Sequence, residues 1–480
     1  MSWLGVDLGT QGVRVVAASD EGAVLASAAR PLTSRRDGGE HEQDPEDWWT
    51  AFLAAAGEVT QQVDRVDGIA ICGTSGTVLF LDDEARPCTP ALMYDDARAA
   101  AYADRLIKDP VEGWTIAGAK PQPTWALAKA LWLLENHDVP PGARLAHQVD
   151  LLTQRLVGEP VATDTSNALK SGVDLTTLAW PDLAKYALPE ERLPNVVLPG
   201  TKLGTVAKKT AGIDAGTTVV AGLTDGCAAQ VASGALGDGS WNFVLGTTLV
   251  LKGTTETPLR DPDGALYSHR APDGSWWPGG ASSAGAGVLA RDFAQADLAA
   301  LDQAAKAYEP AKAITYPLVS QGERFPFTRP EARAFTVGQP TNDAERYASV
   351  LQGVAYVERL CLDLVASLGA PIDGPVALTG GATKSAYWNQ LQADVLGREV
   401  VVPEVADGAF GMAVLAASTA YGSLNAAAAA MVRVRDRLIP REGVSERFVS
   451  PYAALVRELA ERGWIGERLQ QFALAGLGDM

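Results

Sequence analysis

One short pattern occurs twice in the chain, and it constrains the fold more than any other feature. Near the N-terminus the sequence reads LGVDLGTQGVRVVAA, and from Trp241 it reads WNFVLGTTLVLKGTT. Each copy is an apolar strand, a Leu-Gly-Thr turn and a second apolar strand, a pattern typical of a β-hairpin. Two copies roughly half the chain apart indicate an internal duplication. We therefore expect two halves with related architecture.

The segments around the first hairpin alternate between strands and helices. A meander of three antiparallel strands is predicted at the start of the chain. The segment PEDWWTAFLAAAGEVTQQV is a predicted helix, because Asp44 can cap it and Pro45 suits its first position. Strand, glycine-rich turn and strand follow in VDGIAICGTSGTVLFLDD. This alternation predicts an α/β domain with a mixed sheet.

The same alternation restarts near residue 218 and continues toward the C-terminus. Predicted strands and helices follow one another in TTVVAGL, TDGCAAQVASGAL, GPVALTGG, KSAYWNQLQADVLG and AFGMAVLAASTAYG. A chain of 480 residues exceeds the usual size of a single core, so two domains are expected. We place them at 1–232 and 233–480, and we leave open whether the last helix packs back on the N-terminal domain.

The bulk composition excludes several classes of partner. The formal net charge of -18 disfavours nucleic acid and an anionic membrane surface, because both require a basic face. No apolar run is long enough to span a bilayer. The second strand-like run begins by Val13, so no signal peptide is expected and we expect a cytoplasmic protein. The expected partner is a small molecule, and a homodimer stays open.

The cysteines and histidines do not suggest a metal or disulfide framework. The four cysteines are widely scattered and no two have C-x-x-C spacing, and the four histidines are equally dispersed. Buried, reduced thiols are the expected state of the cysteines in a cytosolic protein.

Asp7 is a carboxylate in an otherwise apolar strand, directly before the first glycine turn. A buried carboxylate is costly unless it is paired or binds a cation. Glycines let backbone N–H groups approach phosphate oxygens, and threonine hydroxyls add donors. Two such hairpins predict a phosphate clamp, in which Asp7 meets a magnesium ion through water. A tight structural turn explains one hairpin equally well, but the second copy at Leu245–Thr248 favours the clamp.

Two further motifs carry chemistry. In AGLTDGCAAQ, Asp225 ends a buried strand and is predicted to cap the next helix, whose dipole would keep it ionised. A fixed carboxylate also suits a group that accepts the proton of a substrate hydroxyl and orients it. In LTGGATKSAYWNQ, Gly380 and Gly381 follow a strand and precede a helix, which indicates an adenosine site once two phosphate hairpins are present.

Together these segments resemble the FGGY carbohydrate kinases, which belong to the actin-like ATPase superfamily. The resemblance covers nearly the whole chain and rests on the order and spacing of DLGT, HEQDPEDWW, PALMYDDARA, KALWLLEN, AGLTDGCAA, VLGTT, GERFPF and the TGG-to-AFGMA segment. The chain departs from the family pattern at Ala126, where Pro, Ser or Thr is usual, and at Gln352, where Glu is usual. Both positions lie on packing helices.

The resemblance implies a fold and roles for matching residues. It implies two actin-like (ribonuclease H-like) domains with a central nucleotide and sugar cleft, and it implies ATP and Mg²⁺ as cofactors. Asp225 matches the family's catalytic base and also contacts the substrate, and Asp7 matches the magnesium-associated carboxylate. The remaining matches are to nucleotide-binding positions: Thr10 and Gln11 in the first phosphate loop, Gly246 and Thr247 in the second, Gly380 and Gly381 in the adenosine motif, and Trp388 near the adenine.

The resemblance also suggests the sugar. Xylulokinases carry Met-His in the turn after the third inner strand, whereas this chain has Gly73-Thr74-Ser75-Gly76. That turn and stretches such as NALKSGVDL are similar to D-ribulose kinases, while HEQDPEDWW is closer to xylulokinases. We expect phosphorylation of D-ribulose to D-ribulose 5-phosphate, with Ser75 and Asp96 as sugar contacts.

Alternative functions stay open. D-xylulose or another sugar or polyol of the FGGY kinases is the first alternative. A non-kinase actin-like ATPase would need interface insertions or a peptide-binding domain, and a sugar-responsive regulator would need a DNA-binding helix-turn-helix. Neither feature is evident in the sequence.

Overall fold

The computed structural model describes residues 1–109, Val111, Trp114 and 121–476. These residues form two compact units. Unit 1 comprises the described part of Met1–Gly234 together with His269–Trp276 and Val405–Arg433. Unit 2 comprises Ala235–Ser268, Trp277–Glu404 and the described chain from Val434 onward.

Unit 1 is built on strands that are short outside the first meander. Its strands are β1 (Ser2–Leu8), β2 (Gly12–Ser19), β3 (Val24–Pro31), β4 (Arg35–Asp37), β5 (Glu40–Gln43), β6 (Gly68–Gly73), β7 (Val78–Leu81), β8 (Ala91–Leu92), β9 (Arg144–His147), β10 (Thr163–Asp164), β11 (Val196–Val197), β12 (Lys202–Thr205), β13 (Thr218–Val220) and β14 (Leu223–Thr224). The described helices that precede unit 2 are α1 (Pro45–Thr60), α2 (Ala100–Lys108), α3 (Ala126–Asn136), α4 (Gln148–Val157), α5 (Thr165–Ala168) and α6 (Asp225–Ser233).

The remaining elements follow in chain order. The strands are β15 (Trp241–Leu245), β16 (Leu249–Gly253), β17 (Tyr267–Arg270), β18 (Trp276–Ser282), β19 (Ile314–Tyr316), β20 (Phe335–Val337), β21 (Val376–Thr379), β22 (Val400–Pro403) and β23 (Val434–Leu438). The helices are α7 (Gly287–Asp292), α8 (Leu298–Ala305), α9 (Asp343–Ser367), α10 (Ala386–Leu396), α11 (Gly408–Tyr421), α12 (Leu424–Met431), α13 (Ser445–Glu461) and α14 (Glu467–Ala475).

The two large sheets share one arrangement, as the repeated hairpin predicts. In unit 1, β1 pairs antiparallel with β2 and parallel with β6, within the order β12-β13-β6-β1-β2-β3. In the second large sheet, β15 pairs antiparallel with β16 and parallel with β21, within the order β17-β18-β16-β15-β21-β22-β23. Each hairpin therefore contributes the central strand of its sheet, and the mixed α/β fold is confirmed.

The predicted domain boundary lies near the point where the chain first passes from unit 1 to unit 2, but the prediction misses two later segments that belong to unit 1. Unit 1 first gives way to unit 2 after Gly234, two residues beyond the predicted boundary at 232. The segments 269–276 and 405–433, which we placed in the C-terminal domain, belong to unit 1. The small residues of α11 explain this placement, because a Cβ atom added at Gly411 would lie 2.2 Å from the Ala228 carbonyl oxygen on α6. The last helix, α14, instead packs on α9 and α13 in unit 2.

Local signals set the first helix as expected. The Asp44 side chain accepts a hydrogen bond from the Glu46 N–H at 2.9 Å, and Pro45 occupies the first turn of α1. In the described part of the chain, no helix is both long enough and apolar enough to cross a bilayer.

Glu358 is a fully buried carboxyl on α9, in the core of unit 2. Gln392 donates a hydrogen bond to one of its oxygens at 2.8 Å, and the other oxygen has no hydrogen-bond partner within the part of the chain that the structure describes. Burial raises the pKa of Glu358 to about 8. The folded protein therefore keeps a proton that the unfolded chain releases above its ordinary pKa, so the free energy of unfolding falls as the pH rises from about 4.5 to about 8.

Glu358→Gln is expected to remove this pH dependence, because a neutral amide keeps the same shape and still accepts from Gln392. The melting temperature of the variant should exceed that of the wild type by a margin that grows between about pH 5 and about pH 8, the range between the ordinary and the raised pKa of Glu358. Glu345→Gln on the same helix is a control with the opposite expected sign. Hydrogen bonds from Thr341 lower the pKa of Glu345, so its ionised form stabilises the fold, and this substitution should lower the melting temperature above the ordinary pKa of a glutamate. A margin that does not change with pH would show that Glu358 is ionised in the fold.

Candidate active site

Three parallel strands of unit 1 end at the same edge of the sheet. In the register of β1 and β6, Asp7 lies opposite Cys72 and Leu8 opposite Gly73. In the register of β14 and β6, Thr224 also lies opposite Gly73. The residues that follow these strands therefore share one edge, and they include Ser75 after β6 and Asp225 after β14. The structure thus brings three of the predicted site residues together.

Asp7 is largely buried near the end of β1. The Cys72 thiol donates a hydrogen bond to one of its carboxylate oxygens at 3.6 Å, and a Cβ atom at Gly408 would lie 3.1 Å from the other oxygen. Burial, followed by the nearby Asp225 carboxylate, raises the pKa of Asp7 to about 6. Burial and the neighbouring carboxylate thus both disfavour the ionised form of Asp7. A cation would relieve that cost.

Asp225 is the first residue of α6, and its side chain is exposed. The helix cap is Thr224, so the prediction that Asp225 caps this helix is wrong. The helix begins one residue earlier than expected because Thr224 already has extended backbone angles, and its N–H donates to the Ser166 hydroxyl at 2.8 Å. Asp225 accepts a hydrogen bond from the Gly226 N–H at 2.7 Å. The exposed carboxylate is thus presented at the start of a helix, where the dipole favours its charge.

Hydrogen bonds to backbone carbonyl groups hold the first glycine turn in place. The Gly9 N–H donates to the Gly12 carbonyl at 3.0 Å. The Thr10 carbonyl accepts from the Gln43 side chain at 2.7 Å, and the Gln11 carbonyl accepts from the backbone N–H of Leu32, directly after β3, at 2.9 Å. Thr10 is half-buried and Gln11 is exposed, which leaves both side chains at the surface of unit 1.

Gln43 is a supporting residue that the sequence reasoning missed. It is buried, donates to Thr10 and accepts a hydrogen bond from the Trp48 indole N–H at 2.7 Å. Its position in the EQDPEDWW motif was the available signal, but the motif alone does not show which turn it supports.

Ser75 lies in the turn that follows β6. Its carbonyl oxygen accepts a hydrogen bond from the Lys170 ammonium at 3.1 Å, and its buried hydroxyl has no hydrogen-bond partner among the described residues. Gly76 has a φ of 98°, and a Cβ atom there would lie 3.1 Å from Lys170 Cδ. Glycine is therefore required for both the backbone angle and the space. Lys170 is a second residue that sequence reasoning did not single out.

Asp96 is completely buried, and both of its carboxylate oxygens are occupied. It accepts from the His41 N–H at 2.7 Å and from the Arg98 guanidinium at 2.9 Å. These bonds hold the segment that follows β8 to β5. The arrangement favours a structural role for Asp96 over the predicted contact with the sugar.

The second glycine turn, in unit 2, is also packed closely. The Gly246 carbonyl accepts from the Ala286 N–H at 2.9 Å, and the Thr247 carbonyl accepts from the Gly287 N–H at 3.0 Å. A Cβ atom at Gly285 would lie 2.5 Å from the Thr247 carbonyl oxygen, which explains the small residues of GGASSAGAG. Gly246 is half-buried and the Thr247 side chain is exposed. Unit 2 therefore presents this hydroxyl at its surface.

The Gly380-Gly381 turn follows β21 and contacts the same hairpin. Gly380 has a φ of 90°, and a Cβ atom there would lie 2.6 Å from the Leu245 carbonyl oxygen. A Cβ atom at Gly381 would meet open space. The turn is thus fixed on one side by the second phosphate hairpin and is open on the other side.

The structure buries the Trp388 side chain, so its predicted place beside the adenine is wrong. The side chain is 2% exposed, and its indole N–H donates to the Leu351 carbonyl at 3.3 Å. Trp388 faces α9 and fills the core of unit 2, because the face of α10 that carries it is the buried one. The preceding aromatic residue, Tyr387, is only partly buried.

The residues of the site lack a preformed metal cage. In the parts of the chain that the structure describes, no group of three or more His, Cys, Asp or Glu side chains could hold a metal ion. A single carboxylate such as Asp7 nevertheless suits Mg²⁺, which usually keeps several waters and binds substrate phosphates.

Two glycine hairpins in equivalent places of duplicated sheets, a glycine turn packed on the second one and an exposed carboxylate at a helix start are features of a phosphoryl-transfer enzyme. Family models agree: the N-terminal domain of the FGGY family of carbohydrate kinases matches residues 2–232, and the C-terminal domain of that family matches residues 241–420. The chain belongs to the FGGY family of carbohydrate kinases, and it is an ATP-dependent sugar kinase.

Named relatives act on several acceptors. The chain is 30% identical over 440 residues to a xylulose kinase of Streptomyces rubiginosus, covering 89% of each protein. It is 30% identical over 425 residues to a xylulose kinase of Escherichia coli, covering 83% of this chain and 85% of the relative. It is also 26% identical to a gluconokinase of Bacillus subtilis, covering 84% of each.

Solved structures share the fold along nearly the whole chain. A structure described as a "xyloylose kinase" from Brucella ovis has a TM-score of 0.86 at 24% identity, covering 96% of this chain and all of that one (100%). Plasmodium falciparum glycerol kinase with ADP has a TM-score of 0.84 at 19% identity, covering 97% of this chain and 98% of that one. These similarities confirm the fold and do not identify the sugar.

Proposed function

We propose that the protein transfers the γ-phosphoryl group of ATP to D-ribulose and produces D-ribulose 5-phosphate. The observation that carries this assignment is the Ser75-Gly76 turn, which lies at the same sheet edge as Asp225 and has a short, buried hydroxyl followed by a glycine. Xylulokinases are expected to have the larger Met-His pair at this turn. A different arrangement of sugar hydroxyls should therefore fit here.

The proposed roles follow the chemistry of each group. The exposed Asp225 carboxylate accepts the proton of the attacking sugar hydroxyl and orients that oxygen toward the γ-phosphorus. Thr10, Gln11, Gly246 and Thr247 donate hydrogen bonds to the phosphates, and Gly380 and Gly381 leave space for the adenosine. Asp7 would hold the magnesium ion through water, and the bound ion would neutralise charge on the β- and γ-phosphates.

D-xylulose is the second candidate acceptor. Xylulose kinases are among the relatives with 30% identity, which favours this sugar as strongly as the Ser75 turn favours its epimer. The two ketopentoses differ only in the configuration at C3. The choice between them therefore depends on how the site meets one hydroxyl.

The test is a kinase assay with ATP and a panel of D-ribulose, D-xylulose, L-ribulose, gluconate and glycerol. We expect the highest kcat/KM with D-ribulose and slow turnover of D-xylulose. A higher kcat/KM with any other acceptor would overturn the D-ribulose assignment, while the kinase class would stand.

Ser75→Ala is expected to reduce kcat/KM for D-ribulose more than for D-xylulose. Loss of a hydrogen bond to one epimer costs roughly 1–3 kcal/mol, which corresponds to about 5- to 150-fold in kcat/KM. The measurement is kcat/KM for both sugars with wild type and variant. Ser166→Ala, at a buried hydroxyl that binds the Thr224 N–H instead, is the comparison for general loss of structure. An equal reduction for both sugars would remove Ser75 from the specificity assignment.

A further inference from the structure

Gln148 is the first residue of α4, and its side chain is completely buried. Its side-chain oxygen accepts two hydrogen bonds from Thr74, one from the backbone N–H at 2.8 Å and one from the hydroxyl at 2.7 Å. Because only the amide oxygen can accept from an N–H group, these bonds fix the orientation of the amide. The amide nitrogen, Nε2, therefore points away from Thr74.

The end of β6 is shaped to receive this amide. A Cβ atom at Gly73 would lie 2.9 Å from the Gln148 side-chain oxygen and 2.9 Å from Val149 Cγ1. The Thr74 hydroxyl also lies 2.5 Å from the Thr77 hydroxyl, across the turn that contains Ser75. Gln148 thus anchors the first residue of the turn that carries the proposed sugar contact.

Two polar atoms, one in this turn and one on the glutamine that holds it, have no hydrogen-bond partner among the residues that the structure describes. They are Nε2 of Gln148 and the hydroxyl of Ser75, and both atoms are buried. Buried polar groups are nearly always hydrogen-bonded, and an unsatisfied amide donor is destabilising. A sugar bound at this turn would supply the missing partners, because an amide donor and a hydroxyl are both complementary to the hydroxyl oxygens of a sugar.

We propose that Gln148 is a positioning and specificity residue for the acceptor sugar. It holds the Thr74–Ser75 turn, and its Nε2 donates to a sugar hydroxyl or to a water that bridges to that hydroxyl. The inference rests on the proposed function, because Ser75 must lie beside the sugar. It goes beyond that function by adding a residue outside the glycine hairpins and the turn itself.

Gln148→Met tests the inference, because methionine is of similar length and neither donates nor accepts these hydrogen bonds. We expect KM for the sugar to rise by about 10-fold, the effect of losing one to two hydrogen bonds, while KM for ATP stays within about twofold of wild type. We also expect the kcat/KM ratio of the two ketopentose epimers to move toward unity. The assay uses whichever acceptor of the panel has the highest kcat/KM, so a failure of the D-ribulose assignment leaves this test intact.

Gln154→Met is the matched control on the same helix. Gln154 is also buried, and it donates to the Asp82 and Asp83 carbonyls at 3.1 Å, in a different loop. The Gln154→Met variant should have a lower melting temperature but the same KM for the sugar and the same kcat/KM ratio of the two epimers as wild type. Unchanged sugar KM and epimer ratio in Gln148→Met, or equal changes in both variants, would overturn the proposal.

Gln148→Glu decides the question if Gln148→Met does not fold. Glutamate keeps an oxygen that accepts from Thr74 and lacks the Nε2 donor, so the turn should be preserved. A folded Gln148→Glu with raised sugar KM and unchanged KM for ATP supports the proposal. Wild-type values for both constants would overturn it.

Discussion

Asp225→Ala is expected to lower kcat by about 100-fold or more, the upper range for loss of an acid–base group. The exposed carboxylate at the start of α6 is the candidate that accepts the proton of the sugar hydroxyl. The affinity for nucleotide should change little, because the groups proposed to bind phosphate lie in the two glycine hairpins. The measurements are kcat with the preferred sugar and the dissociation constant for ATP.

A second carboxylate provides a control for the helix-dipole effect. Asp343 is the first residue of α9 and is exposed, as Asp225 is the first residue of α6. Asp343→Ala should therefore lose a comparable interaction with a helix dipole and retain full turnover. Asp225→Asn completes the series, since it keeps the shape and removes the charge. Near wild-type turnover in both Asp225 variants would leave this residue with a structural role only.

The sequence predicts the two hairpins well because local chemistry specifies them. Alternating apolar residues set the strands, and glycines permit the turns, so β1–β2 and β15–β16 follow from short segments. The duplication adds a constraint that no single segment carries. It places β1 and β15 at equivalent positions of two sheets, each beside a parallel strand.

The sequence does not predict features that depend on packing between distant segments. The pattern of α10 does not show which of two adjacent aromatic residues faces the core, so Trp388 was assigned to the wrong environment. The small residues of α11 predict a close contact but not its partner, because α6 is distant in the chain: Gly411 meets Ala228, 183 positions earlier (411 minus 228). The sequence likewise does not predict a role for Gln148, because its contacts with Thr74 and Gly73 form only in the folded protein.

A difference of one residue in the start of α6 changes the role of Asp225. The strand–helix junction at Thr224 and Asp225 was predicted, but the capping position was assigned to the wrong member of the pair. Because Thr224 provides the cap position, the Asp225 side chain lies on the helix itself and is exposed at its start. The correction therefore strengthens the case for Asp225 as the group that meets the substrate.

Asp7→Asn is expected to have opposite effects on activity and stability. Turnover should fall and the Mg²⁺ concentration for half-maximal rate should rise, because a neutral amide binds the hydrated ion less well than a carboxylate. In the free protein, burial and the Asp225 carboxylate raise the pKa of Asp7 to about 6, so its ionisation destabilises the fold as the pH rises from 3.8 to that value. The variant should therefore melt at a higher temperature than wild type at pH values above about 6.

The comparison is a magnesium titration of the kinase rate, together with melting curves of the metal-free protein at several pH values. Asp20→Asn is the control, because Asp20 lies just beyond the far end of the same hairpin, where it accepts from the Trp3 indole N–H at 2.9 Å. It should leave the magnesium requirement unchanged. Thr10→Ala should reduce turnover more mildly than Asp7→Asn, since it removes one hydroxyl and no charge. An unchanged magnesium requirement in Asp7→Asn would contradict the metal role, and the carboxylate would then be a strained part of a structural turn.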